Sequence, residues 1–224
     1  MARRSTDPAR VREKILKQAT EEFARIGFEG ARVDRIAERC RVSKNMLYYY
    51  FQSKEGLFVA VLERMYEGLR DQQKDLSVRA SDPLLAMEQL VHHTFYALEA
   101  NPNAIRLMTE ENKHRGKYIR KSGRMRDLYN PLVETINLVL DRGRKGGIFR
   151  PALDPAVVYL TLSCLCYHYL SNQYTLEIAL DRDLGSESAR KAWLDHVVSV
   201  VLLNCVADPT AMISRKPELK AASA

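Results

Sequence analysis

Apolar residues recur along this chain at the three-to-four spacing of an α-helix, and no stretch alternates convincingly with a period of two. Val11, Ile15, Ala19, Phe23 and Ile26 form the first stripe. Asp7-Pro8 precedes it, an acceptor followed by a residue preset for the first helical turn, and Gly27 ends it. Phe28-Glu29-Gly30 makes a short link, with Phe23 and Phe28 expected in the core. Ile36, Ala37 and Cys40 give a second, short helix one apolar face. Ser43 sits where a third helix needs its N-cap. Leu47 and Phe51, four apart in that helix, turn the same way and pack back on the second. Phe58, Val61, Leu62, Met65 and Leu69 line a long helix opened by Ser53-Lys54-Glu55 and expected to reach Arg79.

Further helix starts are marked by Asp82-Pro83, Asn101-Pro102 and Asp154-Pro155, and breaks by Gly116, Gly123, Gly146-Gly147 and Gly185. The pattern predicts an all-α protein. Residues 155–180 and 187–207 are apolar around the whole helix, as helices buried on several sides must be. The chain of 224 residues has ample length for a core.

Charge changes the picture. The net charge is +7, and residues 1–54 hold thirteen Lys/Arg against seven Asp/Glu, six of that excess. A basic head of this kind attracts phosphates before any base is read. Residues 1–9, with Arg3 and Arg4, form either a basic arm that reaches a minor groove or phosphates, or a tail with no role. The four cysteines, Cys40, Cys164, Cys166 and Cys205, follow no apolar leader and are expected as free, mostly buried thiols in a cytoplasmic protein. The longest apolar-rich run, Ala156 to Leu170, is too short to span a bilayer, so no membrane partner is expected.

The short third helix then acquires a chemistry. With Leu47 and Phe51 facing inward, its outer face carries Lys44, Asn45, Met46, Tyr48, Tyr49 and Tyr50. Lys44 suits a phosphate or a guanine, Asn45 both edge atoms of an adenine, and Met46 a base edge or a thymine methyl. Tyr48 and Tyr49 offer hydroxyls to phosphates or bases. A second helix of this kind is what a helix-turn-helix lays in the major groove.

The stretch IAERCRVSKNMLYYYFQSKEGLF resembles the DNA-binding signature of the TetR family of transcriptional regulators, over about residues 10–62. V-S-K, L-Y-Y-Y-F and S-K-E-G-L-F fall at the family spacing. Arg41 departs from it, standing in the turn where the family usually has Gly, at an expected cost of about 1 kcal/mol if the turn is kept. The resemblance implies a DNA-binding set of Ser43, Lys44, Asn45, Met46, Tyr48, Tyr49, Tyr50 and Lys54, the last as a phosphate contact. It also implies an N-terminal three-helix helix-turn-helix domain at 1–55 and a helical effector-binding and dimerisation domain at 56–208. A disordered tail is expected at 209–224. The loop Gly146–Pro155 resembles one at the same point in such regulators. Their last two long helices build a four-helix dimer interface.

The second domain lacks a phosphate loop and a G-x-S-x-G elbow, so no catalytic residue, metal or cofactor is expected. Glu111-x-x-His114 matches half of a di-iron pattern, but the chain has no second Glu-x-x-His. A small-molecule pocket is implied by the resemblance, with His92, Phe95, Tyr96, Met108, Tyr129, Tyr167 and His168 as candidate lining. Seven Lys/Arg and no acid lie between Lys113 and Arg126, read as a solvated basic face or, more sharply, as attraction for an acidic ligand. The implied function is a homodimeric repressor on double-stranded, palindromic operator DNA, released by a small-molecule effector. The competing reading is a helical ligand-binding or enzymatic bundle whose basic head serves another anion.

Overall fold

The computed structural model describes residues 7–71 and 82–210, with the side chains of 71 and 129–131 outside the description. Among these residues the chain forms α1 (Pro8–Gly30), α2 (Val33–Cys40), α3 (Lys44–Phe51), α4 (Lys54–Asp71), α5 (Pro83–Glu99), α6 (Pro102–Lys113), α7 (Met125–Lys145), α8 (Pro155–Leu180) and α9 (Glu187–Cys205). The architecture is all-α, as the periodicity predicts. The expected continuation of α4 to Arg79, the arm at Arg3 and Arg4, and the tail beyond 210 lie outside the described residues. None of the described helices is long and apolar enough to cross a membrane.

Local chemistry fixes the helix ends. Asp7, Asp82 and Asp154 each accept the backbone N–H two residues on, at 3.0, 2.9 and 2.8 Å, ahead of a proline in the first turn. Gly27 breaks α1 as expected, with φ at 73°. Phe28 to Gly30 nevertheless resume a helical turn, so the link is a kink rather than a loop.

The chain divides into two compact units, one running up to Gly68 together with Asn101–Leu128, the other Leu69–Ala100 together with the chain from Tyr129 on. These packing units cross the expected boundary at residue 55, since residues 56–68 and 101–128 pack with the head. α6 lies against α1. Leu107 and Tyr118 are fully covered in the same core as Ile15, Phe23, Ile36, Leu47 and Phe58. The Tyr118 ring sits 4.3 Å from Phe28 and 5.1 Å from Phe58 between centroids. Short helices bury too little surface alone, and these two residues complete the core.

The seven cations from Lys113 to Arg126 are all exposed, as a solvated basic face requires, and several of them are paired. Lys117 and Lys121 pair with Glu55, and Arg124 with Glu67. Ser122 donates its hydroxyl to Glu63. The run lies along the acidic face of α4. Glu111 is buried and accepts the backbone N–H groups of Tyr118 and Ile119 at 2.9 and 2.8 Å, so it caps the turn that carries Tyr118.

In the second unit α5 packs against α8 and α9. Phe95, Leu90, Leu162, Cys166, Val197 and Val201 are buried there. Trp193 stacks on Tyr169 at 5.0 Å and donates its indole N–H to the Leu165 carbonyl. The segment Ile148–Arg150 is pinned to the end of α9: Arg150 donates its N–H to the Cys205 carbonyl at 2.8 Å, and Ala207 to that of Ile148 at 2.9 Å. All four thiols are free, and only Cys164 is exposed. Burial pushes the Cys166 thiol up to about 12 and Cys205 to about 11, which leaves both unreactive.

Candidate nucleic-acid interface

The turn between α2 and α3 is built by backbone hydrogen bonds. Arg41 takes the left-handed conformation, φ 53° and ψ 44°, and its N–H bonds the carbonyls of Ala37 and Glu38. The Val42 N–H reaches Ala37 as well, at 3.0 Å. This is the glycine-type helix end that the motif needs, kept with an arginine in it. Ser43 caps α3, its hydroxyl accepting the Met46 N–H at 3.1 Å. Leu47 and Phe51 are buried on the inner face, with Cys40 and Ile36 from α2 in the same core. α4 follows α3 so tightly that a Cβ on Gly56 would strike the Phe51 carbonyl oxygen.

That packing leaves Lys44, Asn45, Met46 and Tyr49 exposed, Tyr49 by 82% and Met46 by 43%. Tyr48 and Tyr50 are half-buried against the core. The Tyr50 ring lies edge-on to Tyr49 at 5.5 Å, which steadies the exposed phenol. Lys44 is not free: its ammonium is 2.8 Å from the Asp34 carboxylate on α2. Lys54 is held at the start of α4, donating to the Glu29 carbonyl at 3.2 Å with its ammonium 4.7 Å from the centre of the Phe28 ring. Glu29 thus occupies one of its three N–H donors.

Two carboxylates that support this head, one buried and one half-buried, have no place in the sequence reading. Glu22 of α1 is fully covered and meets Arg25, Arg35 and Arg39 at 3.0, 3.2 and 3.4 Å. Burial pushes its carboxyl up, but the three guanidiniums outweigh that and hold it below the usual carboxylate range. Through Arg35 and Arg39 it ties α2 to α1. Its signal was present, since Glu22 falls within the apolar stripe of Ile15, Ala19 and Ile26. Glu110 of α6 accepts the Phe28 N–H at 2.7 Å and meets His114 at 3.2 Å. His114 thereby serves a hydrogen bond within the first unit.

The candidate effector residues differ in exposure. Phe95 is buried, Tyr96 is exposed, His92 and Tyr167 are half-buried, and His168 is exposed beside Asn172. Met108 belongs to the first unit, and the side chain of Tyr129 lies outside the described residues. Phe95 and Tyr96 line a cleft of about 460 Å³ with Glu99, Arg190, Lys191 and Leu194. Arg190 bridges to Glu99 across it at 2.9 Å.

Two short helices joined by a left-handed turn, the second capped and presenting amide, thioether and phenol outward, have the arrangement of a helix-turn-helix. Comparison with known proteins gives the family. Residues 15–61 match the profile described as bacterial regulatory proteins, tetR family, and residues 83–201 match the tetracyclin repressor-like C-terminal domain. The HTH-type transcriptional repressor NicS of Pseudomonas putida is 33% identical over 199 residues, 89% of this chain and 94% of NicS. Among solved structures, the SCO4942 regulator of Streptomyces coelicolor is 27% identical with a TM-score of 0.63, covering 87% of this chain and 98% of that one. The ketosteroid regulator KstR2 of Mycobacterium tuberculosis shares the fold, with a TM-score of 0.64 at 22% identity over 88% of this chain and 95% of its own. The chain belongs to the TetR family and is a DNA-binding transcriptional regulator.

Proposed function

We propose that the protein is a homodimeric repressor that binds a palindromic operator in the cytoplasm and is released by a small-molecule effector. The observation that carries this reading is the outward face of α3, with Asn45, Met46 and Tyr49 exposed on a helix whose inner face is locked. Asn45 and Met46 read base edges, while Lys44, Tyr48, Tyr49 and Lys54 set the register on phosphates. Ser43 and Tyr50 complete the contact set. Repression is supported by the name of NicS, itself a transcriptional repressor.

Dimerisation is supported by what α8 and α9 leave uncovered. Val157, Leu160, Ile178 and Leu203 are each 45–85% exposed on helices that are apolar around their circumference. A second copy that covers these faces presents two heads, and a two-fold protein reads a two-fold site. In this reading residues 1–55 serve DNA and 56–208 serve the effector and the partner copy. Phe95 and Tyr96 mark the effector cleft, and His92, Met108, Tyr129, Tyr167 and His168 complete the candidate set.

The test is fluorescence anisotropy of the full chain on DNA from upstream of its own gene, against a scrambled duplex, across a salt series. Binding at least about a hundredfold tighter than to the scramble is expected for a specific regulator. Equal weak binding that vanishes with salt would overturn the operator reading.

A further inference from the structure

The ion pair between Asp34 and Lys44 joins the N-terminal turns of the two helices of the motif, and both side chains are open to solvent at 69% and 48%. A pair so exposed contributes little to folding. Its two halves differ in what they do for their own helices. Asp34 lies in the first turn of α2, where a carboxylate suits the positive end of the helix dipole. Lys44 is the first residue of α3, where a cation meets that same positive end and is disfavoured. Helix propensity therefore does not account for Lys44, and Asp34 offsets its charge. Asp34 also raises the Lys44 pKa through its hydrogen bond.

The N-terminal turn of a recognition helix is where base edges are reached and where phosphates approach. An unpaired lysine there binds any duplex by releasing counterions. A lysine already bonded to a carboxylate gains less, because the phosphate must replace an existing partner, and the carboxylate repels that phosphate. We propose that Asp34 is a specificity-determining residue, which holds Lys44 in an intramolecular ion pair and so keeps binding to unmatched DNA weak. This rests on the reading of α3 as the operator-contacting helix. On a matched site Asn45 and Met46 fix a register in which Lys44 meets its phosphate with a second N–H and keeps Asp34; on an unmatched site no register is fixed, and only a lysine without Asp34 is free to move to a phosphate.

The experiment measures full-length wild type, D34N, D34E, K44A and the D34N/K44A double variant by anisotropy. The probes are the upstream duplex and its scramble, between about 50 and 200 mM salt. D34N is expected to bind the scramble about three- to tenfold tighter at the low end, with the log–log salt slope steeper by about 0.9, the increment for one phosphate contact. Binding to the upstream duplex tightens less, so the specificity ratio falls. D34E keeps the carboxylate and the wild-type ratio, and D34N/K44A loses the gain. Unchanged scramble binding by D34N would overturn the proposal. So would a gain that persists without Lys44, because removal of negative charge alone would then explain it. Loss of selectivity in the wild type itself would instead remove the operator reading on which the proposal stands.

Discussion

The carboxylate of Glu110 accepts the backbone N–H of Phe28 at 2.7 Å, across 82 positions of chain. The bond exists because Gly27 breaks α1 and leaves that N–H without a helical acceptor. Gly27 holds φ at 73°, and a Cβ on it would lie 2.8 Å from Glu110 Oε1. Kink, glycine and carboxylate form one joint between α1 and α6. Glu110→Ala is expected to cost about 1–2 kcal/mol by orphaning a half-buried donor. Gly27→Ala costs a similar amount through strain at positive φ. In urea unfolding both variants should show a lower midpoint; unchanged midpoints would mean that the joint carries no stability.

Glu22 and Glu110 make stability depend on acid. In each, burial pushes the carboxyl up but is outweighed, by the three arginines at Glu22 and by the Phe28 N–H, His114 and Lys113 at Glu110. A folded-state pKa below the ordinary 4.5 means that both groups stabilise the fold above that value. The contribution is lost as pH falls through the lower, folded-state values. Arg25, Arg35 and Arg39 are 41–50% exposed, so screening limits the Glu22 cluster. A total of about 1–2 kcal/mol is expected for it. Glu22→Gln should lower stability at neutral pH and flatten the acid limb of a melting-temperature profile. A variant with the wild-type acid limb would exclude Glu22 as a source of the slope.

Arg41 holds the left-handed conformation that the turn demands, at φ 53°. A side chain there costs about 1–2 kcal/mol relative to glycine, part of which glycine gives back through a freer unfolded chain. Arg41→Gly is therefore expected to stabilise the protein by about 0.5–1 kcal/mol. The change removes an exposed cation near α3, so random-sequence DNA should be bound slightly less well. A lower melting temperature in this variant would mean that the arginine side chain makes a contact worth more than the strain.

Most of the fold was legible because its signals are local. The aspartate-proline starts, the serine cap at Ser43 and the inward pair Leu47 and Phe51 need only neighbours within a turn or two. Gly27 marked a break, though not that Phe28 to Gly30 would turn helical again. What escaped was set by partners far along the chain. Nothing near Glu110 says that it will cap Phe28, and nothing near Tyr118 says that it will fill the space between Phe28 and Phe58. Those two contacts hold α6 and the turn after it in the core of the first unit. The exposed face of α3 was readable for the same local reason as the helix itself. The partner of Lys44 was not, because the Asp34 pair depends on the angle between two helices.

Asn45 and Lys54 are expected to separate the two ways in which DNA is held. Asn45 is exposed in the first turn of α3 and bonds an adenine edge through both amide atoms in the proposed complex. Lys54 lies at the start of α4, over the Phe28 ring and against the Glu29 carbonyl, and in the proposed complex it meets a phosphate whatever the sequence. Asn45→Ala is expected to cost about 1–3 kcal/mol on the operator and little on a scrambled duplex, relaxing preference at one base pair. Lys54→Ala should weaken both duplexes alike and reduce the salt slope by about 1. Anisotropy titrations of the two variants on both duplexes separate the roles. An equal loss on operator and scramble for Asn45→Ala would assign that residue to the backbone and leave base reading to Met46 and the tyrosines.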